Sequence, residues 1–399
     1  MDSSLLGPDF ALADVDQHFY ESADSFTRHL DKRFSQAFRW AKTEDGRTRL
    51  LIGDRLFTMI SNPTFDPVAR PGALIEYFRA ENSAGSDGRK LIGTLEPIRP
   101  EYRDRALRLD VLERQSVAQV CILPTLALGI EELLHDDPPA LHAVLDSFNR
   151  WIDDEWGYNR DGRIIAPPVF SLVDPGAAER ELRRVIEAGT RMIVLRPAPV
   201  VSPGAPRSLG DPAHDRFWAM AAEAGVVVAF HAADSGYAKH AKEWGESITF
   251  STFSQSPLTE TLALHVDRPV SDTIAALICH GVFDRHPALR VATVELGSGW
   301  IPDLLRRFRI AYGRIPQTFG KDPIEAFHEH IWVAPFQEDN LAPLLDLMRP
   351  ERILFGSDWP HPEGLVEPMD YVKDLAGIKV ESQRRIMGDN LRELIGVAA

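Results

Sequence analysis

The sequence predicts an α/β fold in which parallel strands and the helices between them close into a (β/α)8 barrel, a TIM barrel. Short apolar runs rich in Val and Ile alternate along the 399 residues with amphipathic stretches long enough to form helices, and this alternation is typical of repeated βα units. The runs are apolar at nearly every position, which indicates strands buried on both faces, as in a parallel sheet. We expect the eight strands at residues 10–16, 117–123, 163–169, 192–196, 226–231, 290–295, 330–334 and 351–356.

The spacing of these strands is uneven, with long stretches of chain after the first and the fifth strand. In a barrel, the βα loops at the carboxyl ends of the strands build the active site, so we expect these stretches to be loop insertions that form the walls of a pocket. We therefore predict a single domain over residues 1–399. The alternative is an open, doubly wound sheet, but that fold usually has a glycine-rich phosphate turn after its first strand, and none follows Asp16.

The charge balance narrows the class of partner. The chain has 44 Lys and Arg against 59 Asp and Glu, a net charge of −15 at pH 7, which argues against binding nucleic acid or an anionic membrane, because both require a basic face. The sequence begins without the basic and apolar regions of a signal peptide, and two cysteines are too few for a disulfide framework. No stretch approaches the roughly 20 apolar residues of a membrane span. We expect a cytoplasmic protein whose partner is a small molecule.

The first predicted strand ends in Asp14-Val15-Asp16-Gln17-His18. Strand side chains alternate between the two faces, so both carboxylates and the imidazole point the same way, which in a barrel is inward. Burying them together is costly unless a cation compensates, and a divalent metal is the simplest such cation. Asp16 and His18 are therefore candidate metal ligands. The alternative is a solvated strand end with a capping Asp.

Two later strands end in residues of the same kind. The fifth strand ends in His231, and Asp358 directly follows the eighth. Taken alone, His231 could be a buried histidine bonded to a carbonyl, and Asp358 could be a ligand, a general acid/base or a helix cap. Strand ends converge at one face of a barrel, so Asp16, His18, His231 and Asp358 would meet there. Mixed oxygen and nitrogen ligation suits zinc, manganese or iron(II) better than calcium or magnesium; we expect one divalent ion, zinc first.

The chain carries the motifs DVDQHFYE, VVVAFHAADSG, GVFDRHPALRVATVELGSGWIPDLLRR, ILFGSDWPHPEG and GDNLREL. With these it resembles the amidohydrolase-related proteins of the metal-dependent (β/α)8 hydrolases, specifically those like aminocarboxymuconate semialdehyde decarboxylase. The resemblance implies a barrel, a homodimer, and a metal held by the acidic variant of the strand-one pair together with the strand-five histidine and the strand-eight aspartate. It also implies either non-oxidative decarboxylation of small aromatic or unsaturated acids, or hydrolysis of C–C, C–N or ester bonds.

One position departs from the family pattern. Where relatives usually carry a catalytic histidine on strand six, this chain has Glu295. A glutamate with a raised pKa can act as a general acid/base. We therefore predict Asp358 as the proton donor, assisted by Glu295.

Four further residues are candidates for contacts with the substrate. Arg70, in the stretch after strand one, and Arg196, at the end of strand four, could each grip a carboxylate with two hydrogen bonds. A surface salt bridge is the alternative for both. Trp359 and His361 flank Asp358 and are expected to line the pocket, and His361 could also hydrogen-bond a ligand.

The sequence thus favours a metal-dependent decarboxylase of a small carboxylic acid. A hydrolase that uses metal-activated water would share every ligand and is the alternative. A barrel that binds a ligand without converting it is a third possibility, since the strand-six histidine is missing. No G-x-S-x-G elbow, Walker loop or C-x-x-C pair is present, which argues against serine, P-loop and dithiol enzymes.

Overall fold

The computed structural model of the protein describes residues 6, 10–44, 46–79, 90, 92–201, 203, 207–246, 256–259, 261, 266–336 and 341–396. Within these residues the strands are, in chain order, β1 Leu12–His18, β2 Phe38–Lys42, β3 Thr48–Ile52, β4 Arg55–Leu56, β5 Val117–Leu123, β6 Ile164–Ile165, β7 Met192–Leu195, β8 Val227–His231, β9 Arg290–Val294 and β10 Ile331–Val333.

Helices separate most of these strands. The α-helices are α1 Ile75–Phe78, α2 Arg105–Arg114, α3 Ile130–Leu134, α4 Pro138–Glu155, α5 Pro175–Glu187, α6 Asp215–Glu223, α7 Ala238–Glu243, α8 Pro257–Thr259, α9 Asp267–Cys279, α10 Val282–Arg285, α11 Ile301–Arg314, α12 Pro323–His330, α13 Leu341–Leu347, α14 Val380–Arg384 and α15 Asn390–Ile395. A π-helical turn, Arg385–Asp389, joins the last two. Short 3-10 helices are Lys32–Phe34, Pro100–Tyr102, Ala127–Gly129, Pro212–His214, Pro316–Thr318, Pro350–Arg352 and Pro368–Lys373.

Several helices begin at an aspartate that caps the first turn. The side chains of Asp104, Asp137 and Asp174 accept hydrogen bonds from backbone N–H groups in the first turns of α2, α4 and α5. In α4 and α5 a proline follows the cap directly, where its missing N–H costs nothing and its fixed φ suits the helix. The sequence therefore sets these helix starts locally.

The long strands form two parallel sheets with strand orders β1-β5-β6 and β10-β9-β8-β7. Every residue of β1, β7 and β8 is buried, as expected for parallel strands that are covered on both faces. The predicted α/β class with parallel strands is confirmed, and all predicted strands but the last overlap an observed strand.

Three isolated bridges connect the sheets at their edges. Val169, beyond β6, pairs with Val194 of β7. Val333 of β10 pairs with Ile353, and Gln17 of β1 pairs with Trp359. The predicted last strand, 351–356, differs from the structure: Pro350–Arg352 is a 3-10 helix, and the chain after it contacts both neighbours through isolated bridges and single backbone hydrogen bonds, such as that from Val15 N–H to the carbonyl oxygen of Phe355, without a regular ladder.

The chain between β1 and β5 contains a separate antiparallel sheet of β2, β3 and β4, followed by α1 and α2. Phe38 of β2 stacks on Phe26, which stacks in turn on Phe148 of α4, with ring centroids 4.5 and 4.3 Å apart. Between β8 and α9 lie α7 and α8. The small sheet is thus anchored on α4 by aromatic packing.

No helix in the described part of the chain is long and apolar enough to cross a membrane.

Candidate metal centre

The end of β1 contributes two buried ligating side chains. Asp16 and His18 are 2% and 1% exposed, and His18 Nε2 lies 3.3 Å from Asp16 Oδ1. The pairing of β1 with β5 is irregular between Asp14 and Gln17. Asp14 turns away from the centre and accepts hydrogen bonds from the N–H of Asp16 and from both the N–H and the hydroxyl of Ser357.

The adjacent strands β8 and β9 supply the next two residues. His231 ends β8, and its Nε2 lies 3.5 Å from Asp16 Oδ1 and 3.1 Å from Glu295 Oε2. Its Nδ1 lies 2.9 Å from the carbonyl oxygen of Ala232, which can only accept a proton, so Nδ1 is the protonated nitrogen. The lone pair of Nε2 is therefore directed toward the carboxylates, as a metal ligand requires.

The segment after Ile353 completes the centre. Asp358 Oδ1 lies 3.4 Å from His18 Nε2 and 2.8 Å from His361 Nδ1. The ring of His361 also stacks on that of His18, with centroids 3.9 Å apart. His361 thus contacts two of the predicted ligands.

The ligating atoms fall into overlapping groups in which all members lie within 4.8 Å of one another. The first group contains Asp16, His18, His231 and Glu295, and another contains His18, Asp358 and His361. Glu295, for which the sequence predicted only an acid/base role, therefore lies among the candidate ligands.

The buried atoms of this centre fit a cation. Asp16 Oδ1, His18 Nε2, His231 Nε2 and both carboxylate oxygens of Asp358 are buried without a hydrogen-bond partner among the described residues. Buried polar atoms are normally satisfied, so several in one place indicate a missing partner. Two imidazoles with several carboxylates are a common donor set for zinc, manganese or iron(II).

The pKa shifts of the buried groups at the centre also fit a bound cation. Burial, which disfavours the charged imidazole, lowers the pKa of His18 to about 3. Burial opposes ionisation of Asp16 as well, but the neighbouring imidazoles of His18 and His231 hold the pKa of that carboxyl below its usual range. Burial and neighbouring carboxylates raise the pKa of Asp358 well above its usual range. A neutral His18 beside a charged Asp16 is the combination of ionisation states that binds metal.

The structure places the predicted arginines in different surroundings. Arg196 is buried; its Nε lies 3.1 Å from Glu131 Oε1 and its Nη1 lies 2.6 Å from Glu132 Oε2. Arg196 therefore forms a salt bridge, the predicted alternative to substrate binding, but this salt bridge is buried and does not lie at the surface. Arg70 is exposed, on a loop whose Leu74 N–H donates to the carbonyl oxygen of Pro362.

Trp359 lies behind the ligands. Its indole packs edge-on against Tyr102 at 5.4 Å, and the guanidinium of Arg108 lies over it at 4.6 Å. Arg108 also donates to the carbonyl oxygen of His18 at 2.7 Å. The Trp359 side chain is 5% exposed, so little of its surface faces a pocket. Its role in substrate contact stays a prediction.

Sequence reasoning missed two acidic residues near the centre. Glu363, two residues after His361, forms a group within 4.8 Å with Glu295, Asp358 and His361. Glu21, on the chain after β1, is buried and accepts hydrogen bonds from the N–H groups of residues 125–127. The acid in the PHPEG motif was a visible signal for Glu363. Nothing in the local pattern marked Glu21.

Comparisons with known proteins agree with this fold and identify the family. The family model described as amidohydrolase matches residues 99–397, so the chain belongs to the amidohydrolase family of enzymes. The crystal structure of an amidohydrolase from Mycobacterium avium subsp. paratuberculosis K-10 is 42% identical, with a TM-score of 0.92, and the match covers 97% of this chain and 100% of that one. The family resemblance predicted from the motifs is confirmed.

Decarboxylases are among the other relatives. A gamma-resorcylate decarboxylase from Rhodococcus jostii is 33% identical over 91 residues, and 2-amino-3-carboxymuconate-6-semialdehyde decarboxylase from Dictyostelium discoideum is 27% identical over 130 residues. These matches cover 21% and 31% of this chain, and only 27% and 36% of the relatives. The structure of a dihydroxybenzoic acid decarboxylase from Polaromonas sp. JS666, with bound manganese and 2-nitroresorcinol, shares the fold at 16% identity and a TM-score of 0.59, over 81% of this chain and 93% of its own.

Proposed function

We propose that this enzyme is a metal-dependent, non-oxidative decarboxylase of a small aromatic or unsaturated carboxylic acid. The observation that carries the proposal is the group of buried, unpartnered ligand atoms from β1, β8 and the segment around Asp358. The two curated relatives described above are decarboxylases of such acids. The chain's own substrate is open within that class.

The metal would be held by Asp16, His18, His231 and Asp358. The first three lie in one group with Glu295, and Asp358 belongs to the overlapping group with His18 and His361. When bound, a divalent ion supplies positive charge that orients the carboxylate or a neighbouring hydroxyl of the substrate. We keep zinc as the expected ion. Manganese is the alternative, favoured by the manganese bound in the Polaromonas decarboxylase, and iron is the third candidate.

The proton for the reaction would come from Asp358. Burial and nearby carboxylates raise its pKa, so it can hold a proton at neutral pH. Transfer of that proton to the carbon bearing the carboxylate allows the C–C bond to break, and its electron pair returns to the substrate as CO2 leaves. Asp358 then recovers a proton from solvent, with His361 and Glu295 as the adjacent groups able to relay it.

The substrate's carboxylate needs positive charge in a protein of net charge −15. Arg70 is exposed, on a loop that bonds to Pro362 near the centre, and is our candidate for this contact. Arg196 is the second candidate, although its guanidinium already binds Glu131 and Glu132. Trp359 and His361 are kept as pocket residues.

We also propose that the two parallel sheets and residues 353–359 form one closed (β/α)8 barrel. The isolated bridges at Val169, Ile353 and Trp359 support this closure. The segments between β1 and β5 and after β8 would be its loop insertions. A single domain over residues 1–399 is supported by one continuous cluster of buried apolar residues, and a homodimer by the family resemblance.

The decisive assay separates decarboxylation from hydrolysis. Purified protein is loaded with Zn²⁺ or Mn²⁺ and incubated with a panel of hydroxybenzoic and enoic acids labelled with ¹³C at the carboxyl carbon, in water enriched in ¹⁸O. We expect release of labelled CO2 without ¹⁸O in the organic product. An Asp358→Asn variant should lose at least about 100-fold in rate, because it cannot supply the proton. An exposed Asp110→Asn variant is the matched control.

Hydrolysis is the second candidate, favoured by the 42% identical structure, which is described as an amidohydrolase. Product that contains ¹⁸O from ester, amide or C–C substrates, without CO2 from the acids, would replace decarboxylation with this activity. A ligand that binds but is unchanged in both assays would favour the third reading, a barrel that binds without catalysis.

A further inference from the structure

A buried arginine lies behind the end of β1. Arg108 of α2 is 0% exposed, and burial lowers its pKa only to about 9, so its guanidinium stays charged at neutral pH. In the described part of the chain its hydrogen bonds go to uncharged oxygens: the carbonyls of Glu101 and His18, at 3.0 and 2.7 Å, and Gln17 Oε1, at 3.4 Å. A buried charge without a carboxylate partner is costly, which indicates that this arginine has a specific role.

Gln17 links this arginine to a buried carboxylate. A guanidinium has only donors, so the Gln17 amide must present its oxygen to Arg108, and its nitrogen is left to face Asp14. That nitrogen donates to Asp14 Oδ2 at 3.1 Å. Asp14 also accepts from the N–H of Asp16 at 3.0 Å and from the N–H and hydroxyl of Ser357 at 3.0 and 2.6 Å. One chain of hydrogen bonds therefore runs from the arginine to both segments that carry predicted ligands.

We propose that Arg108 is a positioning residue for the metal centre. It holds the carbonyl group of His18 directly, and it holds Asp14 through Gln17. Its guanidinium also lies 4.6 Å from the ring of Trp359, which directly follows a predicted ligand. Arg108 thus braces the two ligand-bearing segments from behind. This role rests on the metal centre of the proposed function and is independent of the reaction that the metal supports.

The charge of Arg108 and its hydrogen bonds have opposite expected effects on metal affinity. A positive charge near the centre repels a divalent cation, so loss of the charge alone would tighten metal binding. Loss of hydrogen bonds that hold the ligands in place weakens metal binding, typically by about 10- to 100-fold. A purely structural role would lower the free energy of unfolding and leave the affinity of the folded protein unchanged. The sign of the change therefore separates these roles.

Binding of Co²⁺ to metal-free protein tests the proposal. Each protein is titrated with Co²⁺ in competition with a chelator, its visible absorption spectrum is recorded, and its folding is checked by circular dichroism and urea unfolding. Arg108→Met keeps an unbranched apolar side chain beside Trp156 and Trp359 and removes the guanidinium. We expect Co²⁺ to bind this variant about 10- to 100-fold more weakly than the wild type, with shifted absorption bands, because the imidazole of His18 is no longer held in place.

Gln17→Leu breaks the chain of hydrogen bonds in the middle and keeps the arginine. It should weaken Co²⁺ binding by a smaller factor. The double variant should bind Co²⁺ no more weakly than Arg108→Met, because both changes remove the same chain. Gln17→Leu also carries the test if Arg108→Met does not fold.

Arg392→Met is the matched control. Arg392 is another buried arginine, 8% exposed, and donates to the carbonyl oxygen of Ala11, just before β1 and at the opposite end of that strand from the centre. Its loss should destabilise the fold and leave the affinity and spectrum of Co²⁺ unchanged.

Unchanged or tighter Co²⁺ binding by folded Arg108→Met or Gln17→Leu would overturn the proposal, as would an equal loss of affinity in Arg392→Met. Either result, together with CO2 release by the wild type, would leave the proposed function standing. Weaker binding by both variants, with no CO2 release by the wild type, would keep this role and remove the decarboxylase. Wild-type protein that binds no Co²⁺ would remove both.

Discussion

Glu295 and Asp358 share a backbone conformation that few side chains tolerate. Their φ angles are 54° and 56°, in the left-handed region that favours glycine, at a cost of roughly 1–3 kcal/mol each. Glu295 directly follows β9, and Asp358 directly follows the segment 353–357. The left-handed turn directs each carboxylate toward the ligands of β1 and β8. The strained backbone therefore contributes to the geometry of the centre.

This conformation also explains which parts of the site the sequence could predict. Asp16, His18 and His231 lie within regular strands, so alternation and strand ends sufficed to place them near one another. Asp358 was predicted from its position after a buried run. The closeness of Glu295 to His231 and of Glu363 to Asp358 depends on turns with positive φ, which the pattern of apolar residues does not record.

Glu21 is a buried carboxylate that organises the chain next to His361. Its Oε1 accepts hydrogen bonds from the N–H groups of Thr125, Leu126 and Ala127 at 2.9, 2.7 and 3.3 Å. Burial nevertheless dominates and raises its pKa to about 7. The Thr125 hydroxyl lies 3.1 Å from His361 Nε2, so Glu21 acts on the centre through the backbone of Thr125.

Glu21 predicts a pH dependence of stability. The folded state keeps its proton up to a pH of about 7, whereas the unfolded chain releases it near 4.5. Between these values the folded state binds more protons, so the free energy of unfolding falls as pH rises, by roughly 2–3 kcal/mol for this group. In Glu21→Gln this fall is absent. Urea unfolding of both proteins at about pH 4.5 and about pH 8 measures the difference.

Comparing the wild type with Glu21→Gln cancels the contribution of the other titrating groups, which both proteins share. Gln at position 21 adds a cost from its unpaired amide that is the same at both pH values, so only the change in the difference counts. The exposed Glu44→Gln variant should follow the wild type. A constant difference between wild type and Glu21→Gln across this range would show that Glu21 is ionised throughout in the folded protein.

At the scale of elements, the approach of residues 353–359 to β1 sets the spacing of the ligands. Asp358 N–H donates to the carbonyl oxygen of Asp16 at 2.7 Å, and the Ser357 hydroxyl donates to Asp14 at 2.6 Å. Gly356 allows this approach, because a Cβ there would lie 2.7 Å from the Cβ of Asp16. The two segments that carry predicted ligands are therefore in backbone contact.

Gly356→Ala should push these segments apart. We expect a loss of roughly 1–3 kcal/mol in the free energy of unfolding, as for other overpacked sites, and weaker metal binding, measured by urea unfolding and by metal titration. Gly313→Ala is the control: position 313 lies in α11 with no atom near an added Cβ, and Ala should stabilise that helix by up to about 1 kcal/mol. Unchanged metal affinity in Gly356→Ala would show that the close approach is not needed for the site.

The small sheet of β2, β3 and β4 is the element that the sequence reasoning missed. A signal was present: an Asp45-Gly46 pair, typical of hairpins, lies between two short segments with apolar residues, 38–42 and 48–52. The parallel strands were predictable because burial on both faces leaves continuous apolar runs. The last predicted strand, 351–356, is not a regular strand in the structure. Residues 353–359 contact both neighbours through isolated bridges and single hydrogen bonds instead of a regular ladder, and the apolar run does not record this difference.

At the scale of the whole molecule, charge decides what the centre must contain. The chain carries a net charge of −15, and its buried centre gathers Asp16 and Asp358 beside the partly exposed Glu295 and Glu363. Exposed charges are screened beyond roughly 8–10 Å, so the groups at the centre itself determine whether an anionic substrate can bind. A divalent cation there offsets the local negative charge. We therefore expect binding of an anionic substrate to depend on the metal.

The most direct test is the metal content of the purified protein, measured by elemental analysis for the wild type and for the His18→Ala, His231→Ala double variant. We expect at least one divalent ion per wild-type chain, retained through desalting or restored by reconstitution, and its loss in the double variant with the protein still folded. Wild-type protein that binds no divalent ion even after reconstitution with zinc, manganese or iron(II), or a double variant that retains the metal, would contradict it.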